Sequence, residues 1–398
     1  MTTRRLFRED AYLLEFDARV TAQLTHEQRP AVTLDQTAFY AESGGQPWDT
    51  GTLNDVSVVA VVESGGEILH VLDRCLDAES VVGRVDEVRR RDHREQHHGQ
   101  HLLSRALEML ARARTVSFHL GGGAVSIDLD REVSEAQVRA AEERANEVIW
   151  SARPVAVRVV SRVEAKALGV APPEGAGDAI RLVDAEGFDL QPCGGTHPRS
   201  TSEVGMLMIL GRERHKGGSR VSFVCGHRAL DAIRQRTAAL DRLTSILSSP
   251  LEGLAEAAQR LLDERSAAEK RVRDLFLKSL DTEAQRLLGS TPGSPPVVVA
   301  SYEGWAPDEL RALAQRLIAL RPCVALLASR GAKAQLVFAQ SDALPHDIPG
   351  LLQAAAARLG GRGGGKGNLA QGGGDRAEKL DEALALAVEA VRARSSGR

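Results

Sequence analysis

The stretch His97-His98-Gly99-Gln100-His101 sits within residues 94–112, which hold no proline and place Leu102, Leu103, Ala106, Leu107 and Leu110 at helical spacing. This spacing predicts a helix on which His97 and His101 project from neighbouring points of one face, while His98 points away from it. A second piece, Cys193-Gly194-Gly195-Thr196-His197, also sets two metal ligands four positions apart. Its two glycines read as the means by which the backbone turns tightly enough for both ligands to reach one point. Either piece alone reads as readily as a surface histidine pair or an incidental cysteine, but together they describe one mononuclear site. A thiolate with three imidazoles suits zinc, or less often another late first-row metal.

Around these pieces the chain reads as α+β. Residues 1–90 are strand-rich: alternation over 12–20, apolar runs at 31–34 and 56–62, and a segment at 67–72 after Ser64-Gly65-Gly66. A small β-barrel is the expectation, with a polar, glycine-bearing loop embedded in it at 37–46. Residues 91–227 carry the histidine helix, a strand at 125–129, a helix at 135–150 opened by a Ser134/Gln137 capping box, and strands at 155–160 and 180–183. The cysteine piece follows in a loop, so the two halves of the site meet only through folding.

Residues 228–288 change character. Leu230, Ile233, Leu240, Leu243 and Leu247 form one stripe, Ser248-Ser249-Pro250 breaks it, and Leu254, Leu261, Val272, Leu275 and Leu287 continue a second. This predicts a helical hairpin or coiled coil, serving equally well as a spacer or as a dimerisation arm. After a Gly-, Ser- and Pro-rich linker at 289–296, residues 297–398 alternate as a small α/β domain. Near its end the run 360–374, with Arg362 and Lys366 among nine glycines, leads into a helix expected to be capped by Asp375 and Glu378. Backbone N–H groups and cations beside a helix start suit phosphate, so this run reads as an anion-binding loop in preference to a flexible linker.

The 398 residues suffice for several cores, and no apolar run is long enough to span a bilayer. The N-terminus lacks the apolar segment of a signal peptide and the four cysteines form no CxxC pair, so a cytoplasmic location without disulfides is expected. A net charge of −3 excludes a uniformly basic nucleic-acid coat. RNA contact would need local patches: Arg89-Arg90-Arg91 with Arg94, the run Arg212, Arg214, His215, Lys216 and Arg220, or Arg358, Arg362 and Lys366. Each competes with an ordinary solvated surface.

Asp35-Gln36-Thr37-Ala38-Phe39-Tyr40-Ala41-Glu42-Ser43-Gly44-Gly45-Gln46, the HxxxH at His97 and His101, and CGGTH at 193–197 resemble, in this order, the editing domain of alanyl-tRNA synthetase and of freestanding AlaX-type editing proteins. Arg220-Val221-Ser222-Phe223-Val224-Cys225-Gly226 is similar to the strand that follows the cysteine motif in that family, and the run 360–374 to the glycine loop of the synthetase's C-terminal domain. The resemblance covers nearly the whole chain and implies the long AlaX type: barrel, editing core, helical spacer and C-terminal tRNA-binding or oligomerisation domain. With the editing-type sequence starting almost at Met1, it implies an enzyme that edits in trans and charges no tRNA. One departure is visible: His98 and Gln100 stand where the family usually carries small residues such as Thr and Ala.

The activity so implied is deacylation of tRNA(Ala) mischarged with serine or glycine, with one zinc held by His97, His101, Cys193 and His197. A small apolar pocket rejects near-isosteres of alanine by only roughly a hundredfold, which a second, hydrolytic site repairs. Thr37 is the candidate for hydrogen-bonding the serine hydroxyl, against the plain role of a strand threonine; Gln46 is the candidate for holding the substrate carbonyl or the water. Four protein ligands make a closed tetrahedron, the pattern of structural zinc, so whether the metal activates water or orients substrate stays open. A noncatalytic tRNA-binding protein with a structural zinc is the alternative. A DHH-type phosphoesterase lacks its aspartate cluster here, and a zinc protease lacks the Glu after the first helix histidine. Homodimerisation through the spacer or the C-terminal domain is left open.

Overall fold

A computed structural model describes residues 3–172 and 177–395. The chain divides into two compact units, Met1–Leu243 and Thr244–Arg398. In the first, six strands close into an antiparallel barrel in the spatial order Glu15–His26, Arg29–Leu34, Glu67–Leu72, Val56–Ser64, Gly51–Leu53 and Ser80–Val85. Strand alternation sends every second side chain inward, and a register shift between Val58 and Ala60 lets Val56, Val58 and Val61 all face the core. Phe16, Leu34, Phe39, Leu53, Ile68 and Leu72 fill the interior.

The polar loop leaves the barrel wall after Thr37 and returns at Gly51. It is pinned by a fully buried ion pair: Asp49 accepts the Tyr40 N–H at 2.7 Å and faces Arg90, whose guanidinium also donates to the Ala38 carbonyl at 2.6 Å and the Ala11 carbonyl at 3.0 Å. Arg90 lies on the histidine helix, which runs from Glu87 to Ala111, earlier than the leucine spacing indicated. Asp86 accounts for the difference by capping it, accepting the Arg89 N–H at 3.1 Å. The expected basic patch at 89–94 is therefore not a free surface. Arg90 is wholly buried, Arg94 is buried over the Tyr12 ring, and Arg89 donates to the Trp48 carbonyl.

Behind this helix lies a four-stranded antiparallel sheet, ordered Leu207–His215, Gly218–Cys225, Val125–Leu129 and Thr115–Leu120. The helix Glu135–Trp150 completes the core, and its Ser134/Gln137 capping box is formed. The second basic run falls on the first two strands, where Arg212, Arg214 and Arg220 pair with Glu135, Glu132 and Asp128. A three-stranded sheet of Val155–Ser161, Ala179–Ala185 and Asp189–Pro192 ends immediately before Cys193.

Gly226–Leu247 and Leu254–Ser290 are helical, with the break at Ser248-Ser249-Pro250. In the second unit a five-stranded sheet is ordered Val297–Glu303, Val324–Arg330, Ala334–Gln340, Leu369–Gly374 and Arg362–Lys366. Alternate residues of its central strands face opposite layers. Leu326, Leu336 and Phe338 meet the helices Ile348–Arg358 and Leu380–Ser395, whereas Leu327, Val337 and Ala339 meet Pro307–Leu320 and the end of Leu254–Ser290.

The glycine run corrects the expectation. Residues 362–366 and 369–374 are paired antiparallel strands at the sheet edge, not a loop at a helix start. Glycine's weak strand preference hid them; the ladder to Ala334–Gln340 supplies the pairing. Asp375 pairs with Lys333 and caps nothing, and the turn at Ala377–Lys379 has no side-chain cap. Arg362 and Lys366 are exposed at the two ends of the edge strand. Among the described residues no helix is long and apolar enough to cross a membrane.

Removing one member of a buried ion pair leaves the other charge unpaired, so Arg90→Met is expected to destabilise the first unit by about 3–5 kcal/mol. Arg74→Ala, in a pair that is largely exposed, should stay within about 0.5 kcal/mol of the parent. Urea unfolding followed by circular dichroism measures both; equal midpoints for the two variants would show that the buried pair does not anchor the loop.

Candidate metal centre

Helical spacing brings His97 and His101 to one face, with ring centroids 5.3 Å apart, and the loop after Asp189–Pro192 carries Cys193 and His197 over them. One nitrogen from each histidine and the Cys193 sulfur all lie within 4.8 Å of one another. Cys193 Sγ is 3.2 Å from both His97 Nε2 and His197 Nε2. Tetrahedral zinc bound by thiolate and imidazole has S···N edges of about 3.5 Å, so the donor set fits such an ion in kind, number and spacing. Burial works to raise the Cys193 thiol, but His97, His197 and His101 hold it well below its ordinary value. Burial likewise pulls His101 down, yet the Cys193 charge and Asp189 carry it up to about 10; His197, for which burial prevails, falls to about 3.

The outward nitrogens are all engaged. His97 Nδ1 lies 2.8 Å from Gln46 Oε1, His101 Nδ1 lies 3.2 Å from Asp189 Oδ2, and His197 Nδ1 lies 3.1 Å from His98 Nδ1. Each ring therefore turns Nε2 inward and has its orientation fixed by an outer partner, the arrangement that tunes metal-bound histidine. Asp189 is itself held by Gln191 Nε2 at 2.7 Å.

Two sequence expectations change here. Gln46 does not present its amide to a free space: besides His97, it donates to Thr196 Oγ1 at 3.0 Å and accepts the Thr196 N–H at 3.3 Å, and it is fully buried. His98 does not point to solvent or toward RNA; it is fully buried against His197, because on this helix the side opposite the barrel is covered by the core.

The glycines serve clearance more than turning. Neither Gly194 nor Gly195 has a positive φ, but a Cβ on Gly195 would stand 2.3 Å from His97 Cε1 and 3.0 Å from Gln46 Oε1. Gly99, between the helix ligands, would place a Cβ 2.3 Å from Cys225 Sγ; it lets the helix lie close on the strand Gly218–Cys225, where Gln96 exchanges two hydrogen bonds with the Cys225 backbone. A glycine inside a helix is unfavourable by about 1 kcal/mol, and that signal for a close approach was readable.

Thr37, on the short strand Gln36–Thr37 that pairs with Arg4–Arg5, has no exposed surface. Its Oγ1 is 2.8 Å from His70 Nε2 and accepts the Phe39 N–H at 3.1 Å. His70 faces the Val32 carbonyl through Nδ1, which must carry the proton, so Nε2 accepts the Thr37 hydroxyl; burial pulls His70 down to about 4 and keeps it neutral. Asp189 and Gln191 also line a cavity of about 790 Å³ that reaches Gln100, Arg105, Arg114 and Phe188.

Three family profiles match the chain: tRNA synthetases class II (A) over residues 8–89, the threonyl and alanyl tRNA synthetase second additional domain over 180–222, and the DHHA1 domain over 294–393. An alanine–tRNA ligase of Pyrococcus furiosus is 33% identical over 96% of the chain, which spans only 43% of that ligase. The alanyl-tRNA editing protein AlaX-L of Pyrococcus horikoshii is 29% identical, with 98% of each chain covered. The mouse alanyl-tRNA editing protein Aarsd1 is 31% identical over 92% of this chain and 89% of its own. With full-length likeness of this kind added to the clustered His97, His101, Cys193 and His197, the chain belongs to the alanyl-tRNA editing protein family.

Proposed function

We propose that this protein hydrolyses, in trans, the ester of tRNA(Ala) mischarged with serine or glycine, with a zinc ion at His97, His101, Cys193 and His197. The observation that carries the reading is the convergence of three buried histidines and the half-buried Cys193 beside a loop contributed by the barrel. Zinc supplies Lewis acidity there, either lowering the pKa of a water to about 7 or polarising the ester carbonyl. The chain's own groups do the rest. Gln46 and Asp189 orient His97 and His101, and Cys193 completes the donor set with a sulfur.

Serine selection is assigned to Thr37. Its hydroxyl donates to His70 and accepts from Phe39, leaving one acceptor lone pair to which a serine hydroxyl can donate and alanine cannot. The second reading, a tRNA-binding protein whose zinc is structural, is favoured by one observation: four protein ligands close a tetrahedron. RNA affinity is assigned to the C-terminal unit, with Arg362 and Lys366 on the exposed edge strand as phosphate contacts.

Release of serine from Ser-tRNA(Ala), with Ala-tRNA(Ala) as control, separates the two readings. Chelation, His101→Ala or Cys193→Ala is expected to abolish it while circular dichroism stays native; a metal-free protein that kept full activity would overturn the metal's role, and an intact zinc protein without activity would leave the structural-zinc reading.

Thr37→Val removes one buried hydrogen bond, worth about 1–3 kcal/mol, and should narrow the preference for seryl over alanyl ester by roughly five- to a hundredfold through slower serine release. Unchanged relative rates would make Thr37 a barrel residue only.

Arg362→Ala combined with Lys366→Ala should raise KM for tRNA and lower the slope of log affinity against log salt by roughly 1 to 2, with kcat at saturating tRNA retained. A salt titration superimposing on that of the parent would remove both residues from the RNA contact.

A further inference from the structure

Among the described residues, the cluster contains a histidine that the donor count does not use. His98 is fully buried, its ring 5.3 Å from that of His197 and nearly perpendicular to it, and its Nδ1 lies 3.1 Å from His197 Nδ1. Two imidazole nitrogens at that distance share one proton. His197 turns Nε2 toward Cys193, and a neutral imidazole that offers Nε2 to a metal carries its proton on Nδ1. His197 is then the donor and His98 the acceptor. His98 must carry its own proton on Nε2, and that atom has no hydrogen-bond partner. An orphaned buried donor is a cost to the fold, so His98 is kept in place by what its other nitrogen does.

We propose that His98 is a positioning residue for the metal: by accepting the Nδ1 proton of His197 it fixes that ring as an Nε2 ligand, as Gln46 does for His97 and Asp189 for His101. The inference rests on the metal reading above.

Outer partners of ligating histidines are typically worth 10- to 100-fold in metal affinity. The test compares His98→Asn, whose side-chain oxygen takes the place of Nδ1 as acceptor, with His98→Leu, which fills space without accepting. Zn2+ affinity is measured by competition with a chromophoric chelator on the full chain, and Co2+ absorption spectra report the ligand field independently of turnover. The expected result is Asn within about threefold of the parent and Leu weaker by at least tenfold, with a perturbed Co2+ spectrum. Should the Leu variant fail to fold, His98→Ala replaces it as the acceptor-free form. Equal affinities for the Asn and acceptor-free variants, whether both strong or both weak, or tighter binding by the acceptor-free form, would overturn the role of His98 while leaving the metal reading intact. A parent protein that takes up no zinc or cobalt would overturn both.

Discussion

The Cys193 thiolate among three imidazoles is the constraint on which the rest of the first unit turns. Four donors cannot converge inside a protein without compensation for their burial, and here it comes from mutual charge and from a hydrogen-bond partner behind each ring. The histidine helix must lie close on the strand Gly218–Cys225, which Gly99 permits and Gln96 secures. The cysteine loop must pass over His97, which Gly195 permits.

The barrel takes part in this site through one loop. Gln46 joins His97 to Thr196, and the Arg90–Asp49 pair ties the same loop to the helix two turns before the ligands. A charged pair with no solvent contact is a poor source of net stability compared with apolar packing, but its directional bonds to Ala11, Ala38 and Tyr40 fix a loop that has little regular structure of its own. The barrel and the histidine helix are thereby tied together, and Thr37, hydrogen-bonded to His70 of the barrel strand Glu67–Leu72, stands just before that loop.

In the C-terminal unit the physics is different. Its sheet is covered on both faces, so its central strands read as near-continuous apolar runs, visible at 324–330 and 334–340. At one edge the paired strands Leu369–Gly374 and Arg362–Lys366 are rich in glycine and have no apolar pattern to read. The residues 362–366 become a strand because the neighbouring strand offers a ladder, which no local propensity announces.

What the sequence by itself determined is whatever depends on spacing along the chain. The four-residue interval of His97 and His101, the interval of Cys193 and His197, the Ser134/Gln137 cap, four of the six barrel strands and the helix break at Pro250 are local, and local periodicity carries them, whereas Gly51–Leu53 and Ser80–Val85 have no such signal. What only the tertiary structure decided is which buried polar group meets which. Gln46 reaches His97 across 51 positions, Asp189 reaches His101 across 88 and His98 reaches His197 across 99. Arg90 looked like part of a basic surface until its partner Asp49 was seen in three dimensions. A hydrogen bond is settled by distances of a few tenths of an ångström between atoms that the chain brings together only on folding, and one-dimensional spacing has no access to that information.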